Sequence, residues 1–337
     1  MKNTQLPAHA RVVKAHGAGN SFVVATDQYD DYDPSEVEVA TLCSPAFGIG
    51  ADGFIRAVER DGLWFMDYRN ADGSKAEMCG NGVRVFVDHL RREGLGALPV
   101  GQTLDVATRG GIKRVTPESE DEGQGASYRV DMGPAASPAR ETIEVRVPGI
   151  DVVLGGIWVD MPNPHTVVEL ADEETLRGVF LPTVDVSQIP QAQRPIYDPA
   201  PQAGTNLELV VDLTEPGAER GHIAMRVLER GVGETQACGT GCCAAALATA
   251  LRRGPGAPTQ WVVDIPGGTV IVGLDGVIDW AGENPRITDA SVFLTGPATR
   301  VAEIRLPWAR PQKRHREARR GPGLVDGDER VRRVGPR

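Results

Sequence analysis

Two cysteines head near-identical tetrads, Cys79-Gly80-Asn81-Gly82 and Cys238-Gly239-Thr240-Gly241. Each tetrad runs directly into an apolar stretch with helical spacing. Val83, Phe86, Val87 and Leu90 follow the first; Ala244, Ala245, Leu247, Ala248 and Leu251 follow the second. A cysteine at a helix start meets unpaired backbone N–H groups and the positive end of the helix dipole, and both favour thiolate over thiol. The flanking glycines leave those N–H groups open to a small anion. One such tetrad is a weak signal. Two, at matched places in a repeated chain, suggest a pair of proton-transferring sulfurs, each beside an anion cradle. Two such sulfurs on opposite sides of one cleft suit inversion of a carbon centre. One thiolate takes an α-proton from one face, and the other thiol supplies a proton to the opposite face. The two helix N-termini hold the developing enediolate charge. A nucleophilic cysteine enzyme would need one reactive sulfur and usually a partner histidine, and a dithiol redox enzyme would place its cysteines close together in sequence.

The elements that must position these sulfurs come in two copies. The leader Asn70 to Met78 equals in length the leader Glu229 to Ala237, and Asn20-Ser21-Phe22-Val23-Val24 resembles Asn163-Pro164-His165-Thr166-Val167-Val168. Each helix carries arginines in its last turn (Arg91 and Arg92; Arg252 and Arg253) and a glycine just beyond, Gly94 or Gly254. Short strand-like runs between glycine, proline and aspartate turns fill most of the rest, among them Arg11 to Val13, Phe22 to Ala25, Leu63 to Tyr68, Leu207 to Asp212, Trp261 to Ile265 and Ser291 to Leu294. Asp275-Gly276 reads as a tight hairpin turn, and Ile189 to Thr205 as a long loop. The expected fold is α/β (α+β), with two pseudo-symmetric domains, each a curved, mostly antiparallel or mixed sheet around a central helix. The boundary between them is placed near Gly125 to Ser127, after the acidic, glycine-containing stretch Glu118 to Gly125. Residues 308–337, basic and almost without large apolar side chains, read as a disordered, solvated tail.

Composition narrows the classes. With 337 residues the chain is long enough for two domains. A net charge of −10 argues against general nucleic-acid binding. No apolar run approaches a membrane span, and Met1 to Ala10 lacks the apolar core of a signal peptide, so a cytoplasmic location is expected. The five cysteines (Cys43, Cys79, Cys238, Cys242, Cys243) are odd in number and include an adjacent pair, which is no disulfide framework. Their spacing, with no paired histidine following, does not suit a zinc site. No P-loop or dinucleotide fingerprint is visible, so the expected cofactor set is none: no pyridoxal phosphate, metal or nucleotide.

The motifs together resemble the diaminopimelate epimerases, a family of cofactor-independent amino-acid epimerases. The resemblance rests on His16-Gly-Ala-Gly-Asn-Ser-Phe-Val, Gly48-Ile-Gly-Ala-Asp-Gly, Asp67-Tyr-Arg-Asn-Ala-Asp-Gly-Ser, Met78-Cys-Gly-Asn-Gly-Val-Arg, Asn163-Pro-His, Thr205-Asn-Leu-Glu and Glu229-Arg-Gly-Val-Gly-Glu-Thr-Gln-Ala-Cys-Gly-Thr-Gly, and reaches to about Pro307. It implies two domains closing over the substrate, 1–126 plus about 289–307 and 127–288, with Cys79 and Cys238 as the acid/base pair and Gly80, Asn81, Gly239 and Thr240 holding the carboxylate at the reacting carbon. It implies Asn70, Asn163, Asn206 and Arg230 around a distal carboxylate, Glu229 on a distal ammonium, Asn20 lining the same pocket and His165 as an auxiliary that orients or assists a cysteine. The implied reaction is LL- to meso-2,6-diaminopimelate, in lysine and cell-wall precursor synthesis, by a homodimer. A closed site would also bring Cys79 and Cys238 near enough for a disulfide, so activity should fall in air and return with reductant. Three positions depart from the family pattern. Pro162 stands where a glycine is usual, Gly53 where some members have glutamine, and Ser44-Pro45-Ala46 lacks an arginine often found there. They leave open an epimerase or racemase of the same fold for another amino acid. A non-catalytic amino-acid-binding relative is the other alternative.

Overall fold

The computed structural model describes residues 4, 6, 10–96, 98–120, 125–137, 142–282 and 284–306. The basic tail expected at 308–337 lies outside the described residues.

Three antiparallel hairpins build the first half: Arg11–Gly17 with Asn20–Thr26, Gly53–Arg60 with Leu63–Asn70, and Leu104–Thr108 with Gly111–Pro117. Neighbouring hairpins join through parallel pairs, Asn20–Thr26 to Gly53–Arg60 and Leu63–Asn70 to Leu104–Thr108. Strand Ala126–Pro134 pairs with Gly111–Pro117, and the long strand Ser291–Arg305 closes the ring between Ala126–Pro134 and Arg11–Gly17. The second half repeats the scheme. Its hairpins are Leu154–Asp160 with Pro164–Glu169, Asn206–Asp212 with Gly221–Glu229, and Gln260–Ile265 with Gly268–Gly273, again linked by two parallel pairs. Gly268–Gly273 pairs with Ser291–Arg305, which therefore serves both rings. A bridge from Ala136 to Asp160 joins the opposite margin. The architecture is thus α/β, with mixed, mostly antiparallel, barrel-like sheets in two related halves.

Among the described residues four α-helices complete it: α1 (Glu36–Cys43), α2 (Gly80–Arg92), α3 (Glu173–Gly178) and α4 (Gly239–Arg253). Helices α1 and α3 have ordinary oxygen caps, Ser35 and Asp172, that accept from Glu38 and Thr175 backbone N–H. Helices α2 and α4 fill the two rings. Every residue of α2 from Gly80 to Leu90 is buried. In α4 the side chains of Ala244, Ala245, Ala246, Ala248 and Ala250 are inaccessible, and their small size lets the surrounding strands approach on all sides. Both helices stop where glycine can take a left-handed conformation, Gly94 at φ 67° and Gly254 at φ 81°. Arg252 and Arg253 tie the end of α4 to Glu169 and Asp212 on the strands around it.

Two expectations change. The segments flanking Asp275-Gly276 do not pair with each other, because Gly268–Gly273 takes its hairpin partner across Pro266-Gly267 instead. The long loop contains a short strand, Ile196–Asp198, paired with Thr142–Arg146, so backbone groups that a free loop would leave to solvent are satisfied there.

His89, deep on α2, shares a 2.8 Å hydrogen bond with Thr26 Oγ1, and burial pushes its imidazole down to about 4. The unfolded chain therefore binds more protons than the folded one between about pH 6.5 and 4, and stability falls as pH drops through that window. We expect a loss of about 2 kcal/mol from this residue between pH 7 and pH 5. Urea midpoints of the wild type and His89→Gln at both pH values check it, since the variant should lose less.

Candidate active site

Cys79 and Cys238 are the N-caps of α2 and α4, each in extended conformation (φ −139° and −123°). The two helix starts meet. A Cβ added to Gly239 would lie 3.6 Å from the Gly80 Cα and 3.1 Å from Leu294 of the shared strand, while one on Gly80 would touch Met132 at 3.4 Å. Glycine at both places lets the two N-termini converge. The rims close as well. Gly19, at φ 79°, and Ala18 pack on Gly267, whose own Cβ would overlap the Ala18 carbonyl. Asn81 Nδ2 reaches across to the carbonyl of Ala237, the residue before Cys238, at 3.5 Å.

Around Cys79, Gly82 N–H donates to the sulfur at 3.4 Å, and the thiol donates to Asn20 Oδ1 at 3.5 Å. Asp52 holds Asn20 through its Nδ2 at 3.2 Å and also accepts from Ser21 N–H at 2.7 Å. Asn81 Nδ2 donates to Asn20 Oδ1 as well, at 3.4 Å. Around Cys238, the sulfur lies 3.5 Å from Thr240 Oγ1. His165, wholly buried, bridges Glu208 Oε1 at 2.7 Å from Nδ1 and Asn163 Oδ1 at 3.1 Å from Nε2. Asn206 accepts from Arg230 N–H at 2.9 Å and donates to the Pro164 carbonyl at 3.3 Å, tying three site segments together. Glu229, half-buried, accepts from the Thr235 hydroxyl. The Arg230 guanidinium is exposed, with Nη1 on the Ala203 carbonyl at 2.5 Å. Asn70 is exposed and engaged with Ser74 Oγ at 3.0 Å in the turn that opens the first leader.

One expectation needs correcting. The helix start was expected to lower the thiol pKa. Backbone N–H groups of Gly82 and Asn81 do pull Cys79 that way, and Gly241 does so for Cys238. Yet burial outweighs them and pushes both thiols up. The negative field of Glu229 adds to the rise at both sulfurs, and Glu208 adds to it at Cys238. Burial raises the Glu229 carboxyl too.

Four neighbours stand inside the quoted motifs without a role assigned from the sequence: Asp52, which fixes Asn20; Thr235, which fixes Glu229; and Arg84 and Glu208, buried beside the sulfurs. Arg84 and Glu208 were detectable as single charges inside the apolar runs Val83 to Val87 and Leu207 to Val211. Of the departures, Gly53 has a local reason. A Cβ there would stand 2.7 Å from the Tyr68 ring, which already occupies the space. Pro162 is exposed in the turn between Asp160 and Pro164, with Met161 N–H bonded to the Asn163 carbonyl at 3.0 Å. Among the described residues no cluster of three or more His, Cys, Asp or Glu side chains could hold a metal ion, and no helix is long and apolar enough to cross a membrane.

This arrangement of two helix-filled rings is shared with solved structures. A Bacillus anthracis phenazine biosynthesis protein of the PhzF family matches over 88% of this chain and 98% of its own, with a TM-score of 0.56 at 15% identity. A hydroxyproline epimerase from Agrobacterium vitis matches over 88% and 90%, with a TM-score of 0.54 at 16% identity. Those likenesses define the fold class. The family model for diaminopimelate epimerase matches residues 12–137 and 157–301. Diaminopimelate epimerase of Streptomyces coelicolor is 40% identical over 313 residues (86% of this chain, 93% of that protein), and that of Corynebacterium glutamicum 38% identical over 307 residues (86% and 95%). The chain belongs to the diaminopimelate epimerase family.

Proposed function

We propose that the protein interconverts LL- and meso-2,6-diaminopimelate, with Cys79 and Cys238 as the proton-transfer pair. The observation that carries the two-sulfur reading is the convergence of two cysteine-capped helix starts at Gly80 and Gly239. A carboxylate at the reacting carbon fits against the N–H groups of Gly80, Asn81, Gly239 and Thr240, and the same groups hold the charge that develops when the α-proton leaves. In the reactive form one sulfur is a thiolate and takes that proton; the other is a thiol and gives one to the opposite face. The reverse reaction exchanges their states. The distal carboxylate lies with Arg230, Asn70, Asn163 and Asn206, and Glu229 takes the distal ammonium. Asn163 and Asn206 are already committed to His165, Pro164 and Arg230, so they shape this pocket as well as line it. The reading needs no pyridoxal phosphate or metal. It goes with the homodimer and the role in lysine and cell-wall precursor synthesis that the family resemblance implies, and with the cytoplasmic location expected from the sequence.

The test is incubation with LL-diaminopimelate in deuterated water. Meso product carrying one α-deuterium is expected. Absence of both product and label defeats the proposal. A panel of other amino acids separates it from an epimerase of altered substrate, which would label a different compound faster. Both thiols are raised, so kcat/KM should climb with pH above 7 as the first sulfur ionises. A rate that falls over pH 7 to 9 contradicts thiol ionisation as the activating step.

A further inference from the structure

The two halves of the site correspond position by position through their sequence repeat and strand register, yet their buried charges do not. Five residues after Cys79 stands Arg84; five after Cys238 stands Cys243. Phe22 pairs with Gly53 in the first ring as His165 pairs with Asn206 in the second, which sets Ile55 opposite Glu208 in the repeat. The packing agrees. Besides the cysteine of its own tetrad, a Cβ on Gly82 would meet Ile55 Cδ1 at 3.3 Å, and one on Gly241 would meet Glu208 Oε1 at 2.8 Å. One half has thus placed a cation beside its cysteine, and the other a carboxylate.

Arg84 is wholly inaccessible and, among the described residues, has no carboxylate partner. The buried Arg56 and Arg69 contrast with it, since they are paired to Asp27, Asp67 and Asp33. The Arg84 guanidinium lies in a slot between two glycines. A Cβ on Gly17 would stand 3.3 Å from Nη2, and one on Gly296 would stand 3.2 Å from Cζ. It donates to Asn81 Oδ1 at 2.7 Å and to the carbonyls of Gly80 and Pro297 at 3.3 Å. By taking Asn81 Oδ1 it turns Asn81 Nδ2 towards Asn20 Oδ1, the acceptor of the Cys79 thiol. Glu208, also wholly inaccessible, spends Oε1 on His165, and its Oε2 is buried with no hydrogen-bond partner.

We propose that Arg84 and Glu208 are positioning residues that make the two sulfurs unequal in the substrate-free enzyme, so that Cys79 is the first of the two to lose its proton and Cys238 keeps its own. This rests on the two-sulfur reading above. The titratable groups facing Arg84 are Cys79, Cys242 and Cys243; it falls to about 10, so it stays charged at neutral pH. Cys79 also faces Glu229 and Tyr68, and Cys238 faces Glu229 and Glu208 with His165 behind it. Glu229 acts on both sulfurs in the same direction, whereas Arg84 acts on Cys79 and Glu208 on Cys238.

The measurement is alkylation of the free, full-length enzyme by iodoacetamide between pH 6 and 10, with each cysteine peptide followed by mass spectrometry. The pH of half-maximal rate, unlike the rate itself, is insensitive to how exposed each sulfur is. In the wild type the Cys79 midpoint should lie below that of Cys238. Arg84→Met should raise the Cys79 midpoint by about one pH unit, Arg84→Lys should restore most of it, and Glu208→Gln should lower the Cys238 midpoint. A purely structural arginine would leave the midpoints in place, and one that holds only the substrate carboxylate would raise KM without moving Cys79. Either result overturns the proposal. So does a wild-type Cys238 midpoint at or below that of Cys79, which decides the matter even if Arg84→Met does not fold. Loss of the order while diaminopimelate still turns over removes this inference alone. The order without turnover removes the functional reading alone.

Discussion

Cys238→Ala should lower LL-to-meso conversion by about 10³-fold or more, and Cys79→Ala should do the same, because on the proposed reading each deletes the group that moves a proton on its face. The two losses should not add. Once either sulfur is gone inversion has already failed, so the double variant should be little worse than the single ones. The fold should survive. Cys238 makes no side-chain cap bond and gives up a 3.5 Å contact with Thr240 Oγ1, and Cys79 gives up a 3.4 Å contact from Gly82 N–H and a 3.5 Å one to Asn20 Oδ1; contacts this long make a change of about 1 kcal/mol in each variant. Chiral chromatography of the product gives the rate and urea midpoints give the stability. Turnover within tenfold of wild type in either variant removes that sulfur from the mechanism. A midpoint that collapses in Cys238→Ala would mean that the residue supports the start of α4, and activity loss would then say nothing about chemistry. Serine variants separate the two, since the hydroxyl preserves shape and hydrogen bonding while offering a far weaker acid.

Much of this site is readable from local spacing. A glycine-rich tetrad after a nine-residue leader, followed by an apolar run and a terminal glycine, specifies where α2 and α4 begin and end, because caps and stops are short-range physics. The long strand Ser291–Arg305 is different. Its pairing with Ala126–Pro134, Arg11–Gly17 and Gly268–Gly273 is decided by ring closure at sequence separations that spacing does not report. The charges beside the sulfurs fall between these cases. Arg84 looks like a surface residue of an amphipathic helix until the helix is known to be enclosed on every side, and Glu208 looks like the solvent face of an alternating strand. Burial, a property of the assembled ring, turns both into electrostatic elements. The same holds for the thiols. A helix start favours thiolate wherever it is solvated, and the reversal here comes from the depth at which the two helices meet.

Arg230→Met should cut kcat/KM for diaminopimelate by about 10²-fold, the cost of leaving one charged hydrogen-bonding group of the substrate without its partner. Stability should barely change. The guanidinium is exposed, and its hydrogen bond to the Ala203 carbonyl is replaceable by water, while the backbone N–H that anchors Asn206 is untouched by the substitution. Arg230→Lys should recover only part of the loss, because an ammonium gives a point charge where the guanidinium gives a planar fork. The informative comparison is between substrates. Diaminopimelate has a second carboxylate to lose contact with, and a mono-carboxylic amino acid has none. The ratio of their kcat/KM values should therefore shrink by the same factor of about 10², mostly through the first substrate. If Arg230 instead only props the loop around Ala203 and Gly204, both substrates weaken together and the ratio holds. That outcome would leave the distal carboxylate with Asn70, Asn163 and Asn206 alone, all three of which are already bonded within the protein. Three neutral amides so committed are a poor match for an anion that has to be drawn out of water. On the proposed reading, the exposed guanidinium of Arg230 resolves that mismatch.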